Sequence, residues 1–289
     1  MKSYNTVILS GGAVKGFALM GALQFAMDQG ALTGVQKYIG TSIGAILGYL
    51  MCIGYSPVEI MVIFCQTNWL NKLAHFDICN VMQGTGALSF SVIMDMLEKL
   101  TVQKIGRFIT LKQLKEEYGK TLICCTYNYT RDTEEFLNPE DHPDIPCLTA
   151  LRMSANLPLV FEPFRYDGCV YMDGGLTCNF PIQRIQPGDV VLGIVLGQQP
   201  QPDSTHHIPT SFELMWKVMS IPMARLQKAR TQEYEHLCDL VRVDVTQYFT
   251  LQFDLSNSEK FDMFSVGYES MKTYFTPHPP QETVEASSS

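Results

Sequence analysis

The tightest constraint on this fold is a corner that recurs three times. Thr6-Val7-Ile8-Leu9 runs into Ser10-Gly11-Gly12, Tyr38-Ile39 into Gly40-Thr41-Ser42-Ile43-Gly44, and Val170-Tyr171-Met172 into Asp173-Gly174-Gly175. Short apolar runs bounded by glycine are the pattern of strands buried on both faces, as in a parallel sheet. Parallel strands need crossovers, and helical patterns follow the first two corners over residues 15–29 and 42–53. Ser56, Pro57 and Glu59 form a capping box that opens a third helix, predicted to reach residue 69. Further helices are predicted over 90–100, from Thr110 to a stop at Gly119, and over 148–156, 211–237 (interrupted at Pro222) and 258–275. Strands are predicted over 121–127, 134–137, 190–196 and 241–245, and Asp167-Gly168 reads as a hairpin turn. This alternation predicts an α/β protein, a three-layer α/β/α sandwich around a mainly parallel central sheet. It reads as a single domain over residues 4–275 with a disordered tail over 276–289. Residues 72–89 show no period and read as a long loop, a candidate lid.

Composition narrows the function classes. Of 289 residues, 46% are hydrophobic and 17% charged, enough apolar material for a large core. The net charge of -8 argues against a nucleic-acid partner. It gives no long-range attraction to anionic membranes, though it leaves room for a local basic patch. Nine cysteines lie scattered rather than in ligand pairs, and the N-terminus enters a strand directly. Both features predict free, buried thiols in a reducing, cytoplasmic setting, with the protein peripheral at membranes if it meets them. No apolar run is long enough to span a bilayer.

The three corners should lie together at the carboxyl edge of the sheet, where α/β proteins place their sites. The first, through Lys15 and Gly16, exposes consecutive backbone N–H groups at a helix start, the geometry of an anion nest. It fits either a phosphate loop or an oxyanion hole. It lacks the Gly-Lys-Ser/Thr ending of a P-loop, and the neighbouring serine corner favours the oxyanion reading. Gly40-x-Ser42-x-Gly44 lifts a hydroxyl at a strand-to-helix turn, although tight packing alone can produce the pattern. None of the six histidines (His75, His142, His206, His207, His236, His278) stands in a glycine corner. Ser42 also comes too early for an α/β-hydrolase triad, so a carboxylate is the expected base, and Asp173 ends the third corner.

These corners resemble the ordered motifs of patatin-like phospholipases. Leu9 to Gly16, Gly40 to Gly44 and Asp173-Gly174-Gly175 match three of them. The stretch from Arg152 through Ser154, Ala155, Asn156 and Pro158 to Pro163 resembles a fourth, and Asn179-Phe180-Pro181 also fits. The resemblance implies a patatin-like fold and hydrolysis of lipid acyl esters, of phospholipase A type, with no metal or other cofactor. It implies Ser42 as nucleophile, Asp173 as base, and Gly11, Gly12 and Ala13 as the oxyanion hole. Lys15, Gly16, Gly40, Gly44, Gly174 and Gly175 would support the motifs. Ala13 stands where the family usually has a third glycine, which costs about 1 kcal/mol if the position needs positive φ. The implied partner is a lipid at a membrane or micelle surface. Transfer of the acyl group to another acceptor, and a silent lipid-binding protein, are the alternatives. Phe212, Met215, Trp216 and Met219 share helical spacing and read as core packing ahead of a membrane or acyl-channel contact.

Overall fold

The computed structural model describes residues 2–67, 88–197 and 211–276. Among these residues eight strands form one sheet: β1 Thr6–Leu9, β2 Lys37–Thr41, β3 Thr121–Asn128, β4 Thr133–Leu137, β5 Phe164–Tyr166, β6 Cys169–Asp173, β7 Val191–Leu196 and β8 Asp239–Val243. The order is β5-β6-β3-β2-β1-β7-β8, with β4 also paired to β3. β1, β2, β3, β7 and β8 are mutually parallel, whereas β4, β5 and β6 pair antiparallel. The helices are α1 Gly16–Asp28, α2 Ile43–Cys52, α3 Pro57–Gln66, α4 Ser91–Ile105, α5 Leu111–Tyr118, α6 Cys147–Ser154, α7 Ser211–Tyr234 and α8 Asn257–Phe275.

The two faces of the sheet are covered unequally. Val7, Leu9, Leu122 and Ile194 point into the main core with side chains from α1, α2, α3 and α4. Ile8, Ile39, Ile123 and Val195 point the other way, into a small cluster closed by Phe180, Ile182 and Tyr234. Alternation along each strand thus feeds two cores, as a sheet covered on both sides requires. The adjacent thiols of Cys124 and Cys125 diverge as predicted: Cys124 enters the main core and Cys125 turns toward Cys178. The eight described cysteines are all free, and six of them are buried.

Local chemistry explains most element ends. The Ser56–Glu59 capping box is formed, and Thr110–Gln113 and Ser256–Glu259 form two more. α4 runs past its predicted end to Ile105 and stops at Gly106, whose φ is 76°. α7 is not interrupted at Pro222 but continues through it. Pro222 and Val218 are exposed, so water can take the carbonyl that the missing N–H leaves free. β8 starts two residues before its predicted place, at Asp239. β5 is too short to read from pattern, yet the turn at Asp167-Gly168 is a hairpin, with φ of 45° and 74° joining β5 to β6. Residues 72–87 of the candidate lid (72–89), residues 277–289 of the predicted tail (276–289), and the Phe212 side chain lie outside the described residues. No single described helix is long and apolar enough to cross a membrane.

α1 and α8 pack against each other at a pair of glycines. A Cβ on Gly21 would overlap the Phe264 carbonyl, and one on Gly267 would overlap the Ala18 carbonyl. Alanine is the better helix former by about 1 kcal/mol, but forcing two backbones apart costs more. Gly21→Ala is expected to destabilise the protein by about 2 kcal/mol net in urea unfolding, against the direction helix propensity alone would give.

Candidate active site

Strand β3 brings two distant corners together. Its first part pairs with parallel β2, from Thr121–Lys37 to Cys125–Thr41. Its last part pairs with antiparallel β6, from Thr126–Asp173 to Asn128–Tyr171. β4 pairs with residues from both parts, so it holds the opposite edge of β3. β2 and β6 therefore run toward each other along one edge, and their carboxyl ends meet at adjacent register positions. Ser42, the residue after β2, and Asp173, the last residue of β6, face each other there.

Ser42 occupies a strained turn, with φ 55° and ψ -124°, at the start of α2. Such backbone costs on the order of 1–3 kcal/mol and persists only when its surroundings enforce it. Two glycines do so. A Cβ on Gly40 would lie 2.5 Å from Ala45 N, and one on Gly44 would lie 2.6 Å from the carbonyl oxygens of Leu9 and Ser10. The Ser42 N–H donates to Ser154 Oγ (3.0 Å), which itself donates to the Cys125 carbonyl (2.5 Å). The Ser42 side chain makes no capping bond to α2. Its hydroxyl instead acts on the Asp173 carboxylate, favouring the charged form.

Asp173 is 3% exposed. Its Oδ1 accepts the Gly175 N–H at 2.7 Å, and its own N–H donates to the Asn156 carbonyl at 2.8 Å. Asn156 Nδ2 donates to the Tyr171 carbonyl (2.7 Å), and its Oδ1 accepts from Arg152 (2.5 Å), whose guanidinium lies 4.1 Å from the Phe90 ring centroid. The stretch around Arg152 thus braces the aspartate strand. Burial pushes the Asp173 carboxyl up to about 6, and the bonds from Ser42 and Gly175 act against that rise. A carboxylate with that value is ionised at neutral pH yet basic enough to take a proton.

The glycine loop sits beside the serine: a Cβ on Gly11 would lie 3.3 Å from Ser42 Cβ. Ser10 anchors the loop, its Oγ accepting the Leu196 N–H (3.0 Å) and its N–H donating to the Ile194 carbonyl (3.2 Å). The Gly11 N–H donates to the Asn179 carbonyl at 2.9 Å, so this amide is already engaged. The amides of Gly12 and Ala13 meet no acceptor among the described residues. Gly11 therefore supplies shape at the site, and the two following residues carry the free N–H groups. Ala13 has φ 47°, so the condition for a strained alanine is met. Lys15 is 9% exposed, and burial lowers its pKa against the opposing pull of Asp244. Gly16 packs against the Ile43 side chain, and Gly174 against the Cys125 carbonyl.

All eleven predicted site residues thus gather at one edge of the sheet. Sequence reasoning assigned no role to Ser154 or Asn179, although both lie in quoted motif stretches. Their contacts with Ser42 N–H and Gly11 N–H are not written in any spacing. Of the histidines, His142 stands in the loop after β4 and His236 in a short 3-10 turn before β8; neither bonds Ser42 or Asp173. The other four lie outside the described residues. Ser42 opens into a pocket whose other lining residues are apolar, among them Ile46, Phe64, Ile93, Met96, Leu157 and Phe161.

The family model for patatin-like phospholipases matches residues 7–184. The chain belongs to the patatin-like phospholipase family. The fold described above is patatin-like. This patatin-like chain is 35% identical over 186 residues to a "probable lipid hydrolase" of Invertebrate iridescent virus 6, a match that spans 63% of each chain. It is 25% identical over 274 residues to a protein of Acanthamoeba polyphaga mimivirus, covering 91% of both. Among solved structures, VipD from Legionella pneumophila superposes with a TM-score of 0.54 at 14% identity, over 94% of this chain and 66% of that one. ExoU from Pseudomonas aeruginosa, in complex with SpcU, superposes with a TM-score of 0.52 at 14% identity, over 96% and 53%. At such identity the two structures speak for the fold alone.

Two stability measurements follow. Ala13→Gly removes a Cβ from left-handed backbone and is expected to raise unfolding stability by about 1 kcal/mol. Asp173 has a folded pKa above its unfolded value, so its contribution is full below pH 4 and is lost as pH rises through 6. The stability of the wild type relative to Asp173→Asn is therefore expected to fall by up to about 3 kcal/mol between pH 4 and pH 7, read from paired denaturation curves.

Proposed function

We propose that this protein is a serine lipid acyl hydrolase of phospholipase A type, working through Ser42 and Asp173. The observation that carries the reading is the buried Asp173 carboxylate, raised to about 6, brought by strand register beside a strained serine at the mouth of an apolar pocket. The fatty acyl chain lies in that pocket, among Ile46, Phe64, Ile93 and Met96. Ser42 Oγ attacks the ester carbonyl carbon and its proton passes to Asp173. The oxyanion rests on the Gly12 and Ala13 amides, and the positive end of α2 faces the same point. Collapse breaks the ester C–O bond, and Asp173 returns its proton to the departing alkoxide. Water then attacks the acyl-enzyme while Asp173 takes its proton. Release of the fatty acid gives the proton back to Ser42.

Ser154 acts through Ser42 rather than on substrate. Its hydroxyl ties the nucleophile's N–H to β3 and so fixes the turn from which Oγ projects. Desolvation of Asp173 supplies basicity without a histidine, and neither described histidine bonds the site.

A fluorophosphonate probe is expected to label Ser42 in the folded protein and to fail on Ser42→Ala and Asp173→Asn. Labelling and turnover should share an acidic limb centred near pH 6, where Asp173 protonates. An unlabelled Ser42 would leave a silent lipid-binding protein. Product analysis with added alcohols, showing esters in place of free fatty acid, would move the reading to acyl transfer.

A further inference from the structure

The geometry points to the N-terminal half of α7 as a docking element for an anionic lipid surface. This takes its occupant from the proposed lipid substrate. Three observations converge on it.

The first is position. α7 connects the carboxyl end of β7 to the start of parallel β8, so it begins at the catalytic edge of the sheet. Gln227 marks the level of the site, because it accepts a 2.9 Å bond from Asn179, whose carbonyl holds the Gly11 amide. At the helical rise, Leu214 stands about 20 Å further out along the axis. The first half of the helix therefore overhangs the edge where Ser42 lies.

The second is exposure. Trp216 packs toward the main core, and Arg230 bonds the Thr177 carbonyl (3.0 Å) and Glu134 (2.7 Å), which defines the inner face. Leu214, Val218 and Ile221 follow at spacings of four and three on the opposite side, at 52%, 68% and 44% exposure. Three large apolar side chains on one outward stripe have no packing role. Of the residues whose spacing reads as core packing, Trp216 packs against the core while Met215 is exposed.

The third is charge. In a chain of net charge -8, residues 214–230 hold Lys217, Arg225, Lys228 and Arg230 and no aspartate or glutamate. Lys217, Arg225 and Lys228 are exposed, and Arg225 shares the outward stripe. Apolar side chains flanked by cations on one helix face suit the boundary between anionic headgroups and acyl chains. The rest of the surface, being acidic, would be repelled, which orients the catalytic edge toward the lipid.

The test is partition of the full chain, carrying Ser42→Ala so that lipid is not consumed, onto vesicles of phosphatidylcholine with and without phosphatidylglycerol. Tighter binding to the anionic vesicles is expected. Leu214→Ser/Val218→Ser/Ile221→Ser should weaken it about tenfold. Lys217→Gln/Arg225→Gln/Lys228→Gln should erase the preference for phosphatidylglycerol. On the Ser42 background, both triple variants should turn over a short-chain, water-soluble ester as the wild type does, which also shows that they fold. If a triple variant loses that turnover, Val218→Asp alone replaces it. Unchanged partition in the variants, equal binding of the wild type to both vesicles, or lipid-free self-association through this face would overturn the inference. Failure on the soluble ester with normal partition would instead overturn the hydrolase reading and leave the docking element standing.

Discussion

The candidate site hangs on one edge of β3. That edge is shared end to end by β2, running parallel, and β6, running antiparallel. A strand long enough to pair with both aligns the residue after one with the last residue of the other. A one-residue slip of β6 would turn Asp173 to the other face of the sheet. The braces around the site act on this register. Asn156 takes the Asp173 N–H and reaches the Tyr171 carbonyl, Arg152 holds Asn156, and Ser154 links the Ser42 N–H to Cys125 on β3 itself. Each of these bonds is buried or nearly so, where an unmade one costs about 1–3 kcal/mol.

The same arrangement raises the basicity of the carboxylate beside Ser42. An exposed aspartate is too weak a base to accept a serine proton. Buried beside Ser42 and held by Gly175, this one rises to about 6 and stays ionised at neutral pH. The strain at Ser42 and at Ala13 belongs to the same economy of structure: both side chains sit in backbone that glycine would adopt more easily. The unequal layers matter too. The thick layer, with α2, α3 and α4, supplies the apolar pocket, while the thin layer leaves α7 exposed along its outward face.

Much of this was legible in advance. The strand cores, the helix after each glycine corner and the Ser56 capping box depend on residues within a few positions of one another, and periodicity reads such patterns. Pro222 misled because its cost depends on whether water reaches the carbonyl it frees, which is a matter of exposure. The short β5 carries too few residues to show a period, and only its partner β6 makes it a strand. The resemblance implies Gly11 in the oxyanion hole beside Gly12 and Ala13, but whether an amide is open depends on a neighbour far along the chain, here Asn179, which takes the Gly11 N–H.

From its sequence alone, the chain determined its α/β class and the serine turn with its two flanking glycines. These follow from local backbone geometry and hydrophobic period. The tertiary structure alone decided that Asp173 meets Ser42, that its pKa rises, which amides remain open, and which face of α7 is left outward. Those properties depend on strand register and on exclusion of water, and neither is a function of any single stretch of residues.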